Sequence, residues 1–220
     1  MLTLPLLKLL QLNNYLLIIL LIIPVIGCKP NGDNSFQEKR KAPQYVPDEV
    51  LKSLREGDII IRQGGGAFSE QIINFMGEQR HFSHVGIVAN VKGKLKMIHS
   101  VSEEMSGRDG VQTQSIRTFC SDVADSNLCI VRPKLSKAEI QKMTDLARYY
   151  LDQRVLFDYD YHTEDSSKLY CIELLYYTYG TVAGKEKFNV KQCEDGIFIP
   201  LFSTFFKPEY FEQIYCLKSY

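Results

Sequence analysis

The sequence predicts an α+β fold, with an antiparallel sheet or open barrel packed on helices. Three observations carry this expectation. Short runs rich in β-branched residues, GDIIIRQ (57–63) and the pair 85–91 and 94–101, are bounded by turn residues and read as strands. The last two are joined by only Lys92-Gly93, a hairpin signal that needs no helical crossover. Between and after these strands, apolar residues recur at helical spacing, so hairpins and helices are mixed along the chain rather than alternating as βαβ units.

The chain begins with a segment that does not belong to that fold. LLIILLIIPVI (16–26) is unbroken and apolar but holds only 11 residues, among them Pro24. A membrane span needs roughly 20 apolar residues, whereas a signal-peptide core needs roughly 7–15. The run ends Val25-Ile26-Gly27-Cys28, which resembles a bacterial lipobox. That resemblance implies cleavage before Cys28, a diacylglycerol on its thiol, and a membrane-anchored lipoprotein of the bacterial cell envelope. An uncleaved anchor or a plain signal peptide is the alternative. Residues 1–27 are thus a signal peptide. Residues 28–47, polar and holding Pro, Gly and the cluster Lys39-Arg40-Lys41, are a lipidated cysteine and flexible tether. Residues 48–220 are one folded domain, with enough apolar content, 45%, to bury a core.

Within the domain, DEVLKSLR (48–55) reads as a short helix closed by Glu56-Gly57. Residues 67–77 read as a helix with Phe68, Ile72, Phe75 and Met76 on one stripe and Gly77 at its end. In the hairpin, a two-residue turn pairs Val91 with Lys94, which places His84 opposite Val101. Side-chain alternation then puts His84, Val88, Leu95, Met97, His99 and Val101 on one face, with His84 and His99 diagonal neighbours. GVQTQ (110–114) and CIVRP (129–133) are further strands. Ser136 to Glu139 form a capping box that opens a helix with Ile140, Met143, Ala147 and Tyr150 on one face. The loop 157–167 leads to a helix opened by Cys171, with Ile172, Leu175, Tyr176 and Tyr179 as its stripe and Gly180 as its end. Beyond it the chain is aromatic but weakly periodic; GIFIPLFSTFFKPEYF (196–211) reads as core in preference to an acyl-binding groove.

Lys+Arg and Asp+Glu both number 26, so charge gives no argument for nucleic acid, and no nucleic-acid-binding motif is present. Gly64-Gly65-Gly66 lacks the spacing of a phosphate cradle. Of the six cysteines, setting aside Cys28 and Cys171 leaves Cys120, Cys129, Cys193 and Cys216, for which three disulfide connectivities and four free thiols all stay open. No CxxC spacing supports a zinc site, and His81 and His84, three apart, point to opposite faces of a strand; no metal or other cofactor is expected.

Chemistry points to Cys171. A thiolate is a nucleophile, and the free N–H groups of a helix start favour the anion and can later hold an oxyanion; Asp165, Ser166 and Ser167 are the capping alternatives. A base must reach the sulfur and a third group must orient that base. His84 and His99, on one hairpin face, are of the right types. Taken singly, a cysteine in an apolar helix is more often core.

The ordered set SHVGIV (83–88) and LYCIELLY (169–176), with EGDII (56–60) and DYDY (158–161), resembles the circularly permuted, NlpC-type papain-like cysteine hydrolases of the YaeF/YiiX group over roughly residues 54–180. The resemblance implies Cys171 as nucleophile, His84 as general base and then acid, and His99 as the third residue. Many YaeF/YiiX relatives have a glutamate at that third position, whereas a related permuted acyltransferase-like group has a histidine. Glu103 and Glu104 are the nearby alternatives. Glu173 is read as supporting, bonding a nearby loop, and Tyr159 or Tyr161 as an oxyanion donor or as aromatic packing. Ser83 reads as a turn former, Asp58 as holding a backbone turn, and His162 as a solvated loop residue.

The expected function is thiol hydrolysis of an amide or ester through an acyl-enzyme, without a cofactor. The substrate is a small molecule, a lipid or N-acyl compound, or a peptide; a cell-wall endopeptidase is the near alternative. A non-catalytic binding lipoprotein, or an envelope protein whose Cys171 is disulfide-bonded, remain the other classes. If Cys28 is the anchor, Cys28→Ser releases the protein from membrane fractions; persistence there would assign anchoring to the apolar run.

Overall fold

A computed structural model of the chain describes residues 45–161, 163, 165–193 and 196–218. The signal segment, Cys28, the basic cluster at 39–41 and His162 lie outside these residues. Six strands form one antiparallel sheet in the order β4-β3-β2-β1-β5-β8. They are β1 (Ile59–Arg62), β2 (His84–Val91), β3 (Lys94–Val101), β4 (Gly110–Gln114), β5 (Leu128–Pro133) and β8 (Phe211–Cys216). A small hairpin, β6 (Val190–Gln192) with β7 (Phe198–Pro200), stands apart from it. The α+β expectation holds, and the sheet is open.

The β2–β3 hairpin has the register read from the sequence, Val91 against Lys94 and Ile87 against Ile98. Lys92 and Gly93 both take positive φ, 53° and 81°, as a two-residue turn matched to strand twist requires. The central strand β1 is buried at all four residues. Ile59 and Ile61 join one core with Val85, Ile87 and Ile98, while Ile60 joins a second with Val88, Met97, Phe119 and Ile130. Covering on both faces explains why GDIIIRQ shows no polar alternation. At its entry Asp58 takes two hydrogen bonds from Arg132, at 2.7 and 2.9 Å, and one from the Arg55 N–H at 2.8 Å. These fix the turn into β1, as expected of Asp58.

Helices α5 (Lys137–Asp152) and α6 (Cys171–Ala183) cover the first face. The capping box forms: the Ser136 hydroxyl accepts from Glu139 N–H, and the Glu139 carboxylate from Ser136 N–H. Helix α6 departs from the sequence reading. Every residue from Cys171 through Gly180 is buried, so there is no single stripe; a helix enclosed on all sides is apolar all round. Gly180 lies inside the helix, not at its end. A Cβ there would sit 3.2 Å from Lys185 Cγ and 3.3 Å from Phe188 Cε2, so it serves close approach. The helix stops at Gly184, with φ 110°. At the other end the N-cap is Tyr170, not Asp165, Ser166 or Ser167.

The other face carries α1 (Asp48–Ser53) and α4 (Ile116–Ser121). Helix α4, the short α3 (Glu103–Ser106) and strand β8 were not legible in the sequence. The aromatic C-terminal region is core: Phe205 and Phe211 meet edge to face at 5.5 Å between ring centres, and the Tyr179 ring of α6 lies 4.9 Å from that of Phe211. Cys129 and Cys216 are register partners on β5 and β8 and form a disulfide, leaving Cys120, Cys171 and Cys193 free.

Thiol mapping of the non-reduced domain should therefore find Cys129 and Cys216 joined and Cys171 alkylatable after unfolding. Replacing the pair by alanine removes a link across 87 residues and should cost about 2–5 kcal/mol, read from denaturant midpoints. An unchanged midpoint would mean that the link does not stabilise the folded chain.

Candidate active site

Strand β2 opens at His84, directly opposite Arg62 on β1. Just before it the Ser83 hydroxyl accepts from the Gly64 N–H at 2.9 Å, tying the glycine loop to the strand start; this is the turn role expected of Ser83. His84 Nε2 lies 2.9 Å from His99 Nδ1. Gly86, two residues after His84, lets β3 approach closely: a Cβ there would meet Met97 Cε at 2.8 Å and His99 Cβ at 3.2 Å. Both imidazoles pack on Phe119 of α4, at 5.4 and 5.5 Å between ring centres, and the Arg62 guanidinium covers the same ring at 4.8 Å. Arg62 is buried and held by the Asp122 carboxylate at 2.7 Å and by the Asp122 carbonyl.

Cys171 reaches this group from the first core. The Ser100 hydroxyl of β3 donates to the Leu169 carbonyl, anchoring the chain two residues ahead of it. The Cys171 thiol lies 3.9 Å from the Ser83 carbonyl and faces the N–H groups of Ile172 and Val85. Among the described residues no hydrogen bond joins the thiol to His84, but both line one cleft. The helix start was expected to depress the thiol pKa. Burial instead pushes it up to about 12, against the smaller opposing pull of those N–H groups and of Arg62. His84 and His99 shift the other way. Burial first, then the Arg62 charge, holds His84 well below its ordinary 6.5 and His99 at about 3. The resting site is a neutral thiol beside two neutral imidazoles.

The remaining sequence candidates divide. Glu173 is fully buried, and among the described residues its carboxyl bonds no loop but accepts the Tyr170 N–H at 3.2 Å, closing its own helix start. Burial, with Asp158 and Asp165 nearby, raises it to about 9, so it is protonated at neutral pH. Tyr159 is not near the thiol: its hydroxyl donates to Asp109 at 2.9 Å at an exposed position. Tyr161 stacks on Tyr170 at 5.3 Å and lines the cleft with Cys171. Glu104 lies by the Tyr159 hydroxyl, at 3.4 Å; it is His99 that contacts His84. His81 is exposed.

The cleft has two arms that meet at Cys171. One, about 90 Å³, is the more polar of the two, with Arg62, Ser83, His84, His99, Ser102 and Gln114 set among apolar residues such as Val101 and Met105. The other, about 160 Å³, is apolar and lined by Phe68, Ile72, Phe75, Met76, Tyr161 and Ile199. Helix α2 (Gly66–Met76) supplies half of its lining residues. That is why the predicted stripe is only partly covered: Phe75 stays 46% exposed. Sequence reasoning missed Arg62, Gly86, Phe119 and Asp122. Arg62 carried a signal, a charge closing an otherwise apolar strand; Phe119 and Asp122 carried none.

A family model described as permuted papain-like amidase enzymes, YaeF/YiiX, matches residues 53–197. Among solved structures, the metalloprotein YiiX from Escherichia coli O157:H7 matches with a TM-score of 0.60 and 14% identity, over 74% of this chain and 97% of that one. No curated protein matches the chain.

Depressed imidazole pKa values set an acid limit on stability. Above pH 6.5 folded and unfolded chains are both neutral at His99. As pH falls from 6.5 towards about 3, the unfolded chain takes up a proton that the folded chain refuses, and stability is lost. His99→Gln should flatten the slope of unfolding free energy against pH in this window, by up to about 1.4 kcal/mol per pH unit. An unchanged slope would show that His99 titrates normally in the folded protein.

Proposed function

The chain belongs to the permuted papain-like amidase family of the YaeF/YiiX type, a family of thiol-dependent hydrolases, and on that premise we propose that Cys171, His84 and His99 are its catalytic residues. The observation that carries this reading is the 2.9 Å contact between His84 Nε2 and His99 Nδ1 in the cleft that Cys171 lines. With the proton on His84 Nε2 and donated to His99, the Nδ1 lone pair is free for the thiol. Thiol and imidazole are both neutral at rest, so proton transfer accompanies attack. Sγ bonds to the carbonyl carbon while its proton passes to His84 Nδ1. The carbonyl π electrons move to oxygen, which the Cys171 N–H stabilises. The tetrahedral species collapses as His84 returns the proton to the leaving nitrogen or oxygen. Water then attacks the thioester through the same groups, releasing the acid and the thiol.

The apolar arm supports an amide or ester with an apolar acyl group, a lipid or N-acyl compound, as substrate. The lipobox ending at Cys28 supports a membrane-anchored envelope protein. The Cys129–Cys216 disulfide agrees with an oxidising compartment. The solved relative is titled a metalloprotein. In this chain His84 Nε2 and His99 Nδ1 are engaged with each other beside the Arg62 cation, and among the described residues no three His, Cys, Asp or Glu side chains converge as a ligand set. These residues do not fit a metal, and the steps above use none.

The test is acylation. Incubation with an activated medium-chain acyl ester should add one acyl mass to the domain, on the peptide that carries Cys171. Cys171→Ala should abolish the adduct, and His84→Ala should slow its formation about 10²- to 10⁴-fold with the fold retained. An adduct elsewhere, or full rates without His84, would refute the assignment.

A further inference from the structure

The polar arm contains atoms that the fold leaves unused. Among the described residues, the Ser102 hydroxyl and Gln114 Oε1 are both buried without a hydrogen-bond partner, and both residues line the cleft. Ser102 is 1% exposed and stands at the N-cap of α3, yet its hydroxyl makes no capping bond. A serine there normally accepts from the first turn of the helix. Gln112, two residues before Gln114 on β4, shows the contrast: its amide nitrogen donates to Ser106 Oγ at 3.0 Å and to the Arg108 carbonyl at 2.7 Å. Buried polar atoms are nearly always paired, and leaving one unpaired costs about 1–3 kcal/mol.

The side of the scissile bond follows from the mechanism. Cys171 stands at the junction of the arms, so the acyl portion and the leaving group enter opposite ones. His84 lines the polar arm, and it must hand its proton to the leaving atom. The leaving group therefore lies with Ser102 and Gln114. A leaving group that carries hydroxyls offers the matching chemistry, since a hydroxyl can donate to Gln114 Oε1 and accept from Ser102 Oγ–H.

We propose that the polar arm is a leaving-group subsite in which Ser102 and Gln114 select an acyl amide or ester whose leaving group carries a hydroxyl. This rests on Cys171 as the acylated residue. It extends that reading by assigning the two arms and the chemistry of the second.

The test separates the two. In Cys171→Ala protein, which forms no acyl-enzyme, binding of the octanoyl amide of serinol is compared by calorimetry with that of the amide whose two hydroxymethyl groups are ethyl groups. The diol should bind about 10- to 100-fold more tightly. Adding Ser102→Ala or Gln114→Leu should remove most of that preference while leaving affinity for the hydroxyl-free amide unchanged and without lowering the thermal midpoint. Equal binding of the two amides, a preference that survives both substitutions, or no binding of either overturns the subsite. Acylation of Cys171 in the unsubstituted protein is measured separately. Adduct formation without a preference leaves the hydrolase reading standing and removes only this one.

Discussion

The docking of α6 against the sheet governs the arrangement of this protein. The helix packs on β2 and β3 and is enclosed along ten consecutive residues, Cys171 through Gly180. Burying that much apolar surface fixes the helix in position and direction. Its first residue then arrives where β2 begins. The Ser100 to Leu169 hydrogen bond and the Glu173 carboxyl on the Tyr170 N–H lock the approach. The thiol and the imidazoles come from different cores on opposite faces of the sheet. They share a cleft because Cys171, the first residue of α6, arrives beside the start of β2, where His84 stands.

Burial also sets the charge state of the site. The helix start favours a thiolate, but a thiol as enclosed as Cys171 loses more from desolvation than a few N–H groups return. The Arg62 guanidinium acts on all three groups, favouring the thiolate and opposing each imidazolium. Burial outweighs its pull on the thiol, so the enclosed set is neutral rather than an ion pair. Phe119 makes this geometry rigid, since Arg62 and both imidazoles lie against its ring.

The two arms of the cleft reflect the same division between cores. The apolar arm is walled by α2, whose first residues follow a glycine loop and of which only Ser69 and Met76 are buried. The polar arm is made by the ends of β1 to β4 and by α3, where strand termini expose polar side chains to one space.

Local patterns in the chain were enough for the hairpin register, the β1 strand, the capping box at Ser136 and the helix opened by Cys171. Each depends on neighbours in sequence: turn residues, side-chain alternation, or a cap three residues from its partner. The same patterns placed His84 and His99 on one face. What they did not contain were Phe119 and Asp122, which reach the site from a six-residue helix too short to show periodicity. Nor did they contain β8, whose burial is irregular and whose partner β5 lies about eighty residues earlier. The thiol pKa, the cysteine pairing and the position of Gly180 inside α6 likewise came from long-range packing. Desolvation, cross-strand distance and helix enclosure are properties of the surroundings, and segments far apart in the chain create them.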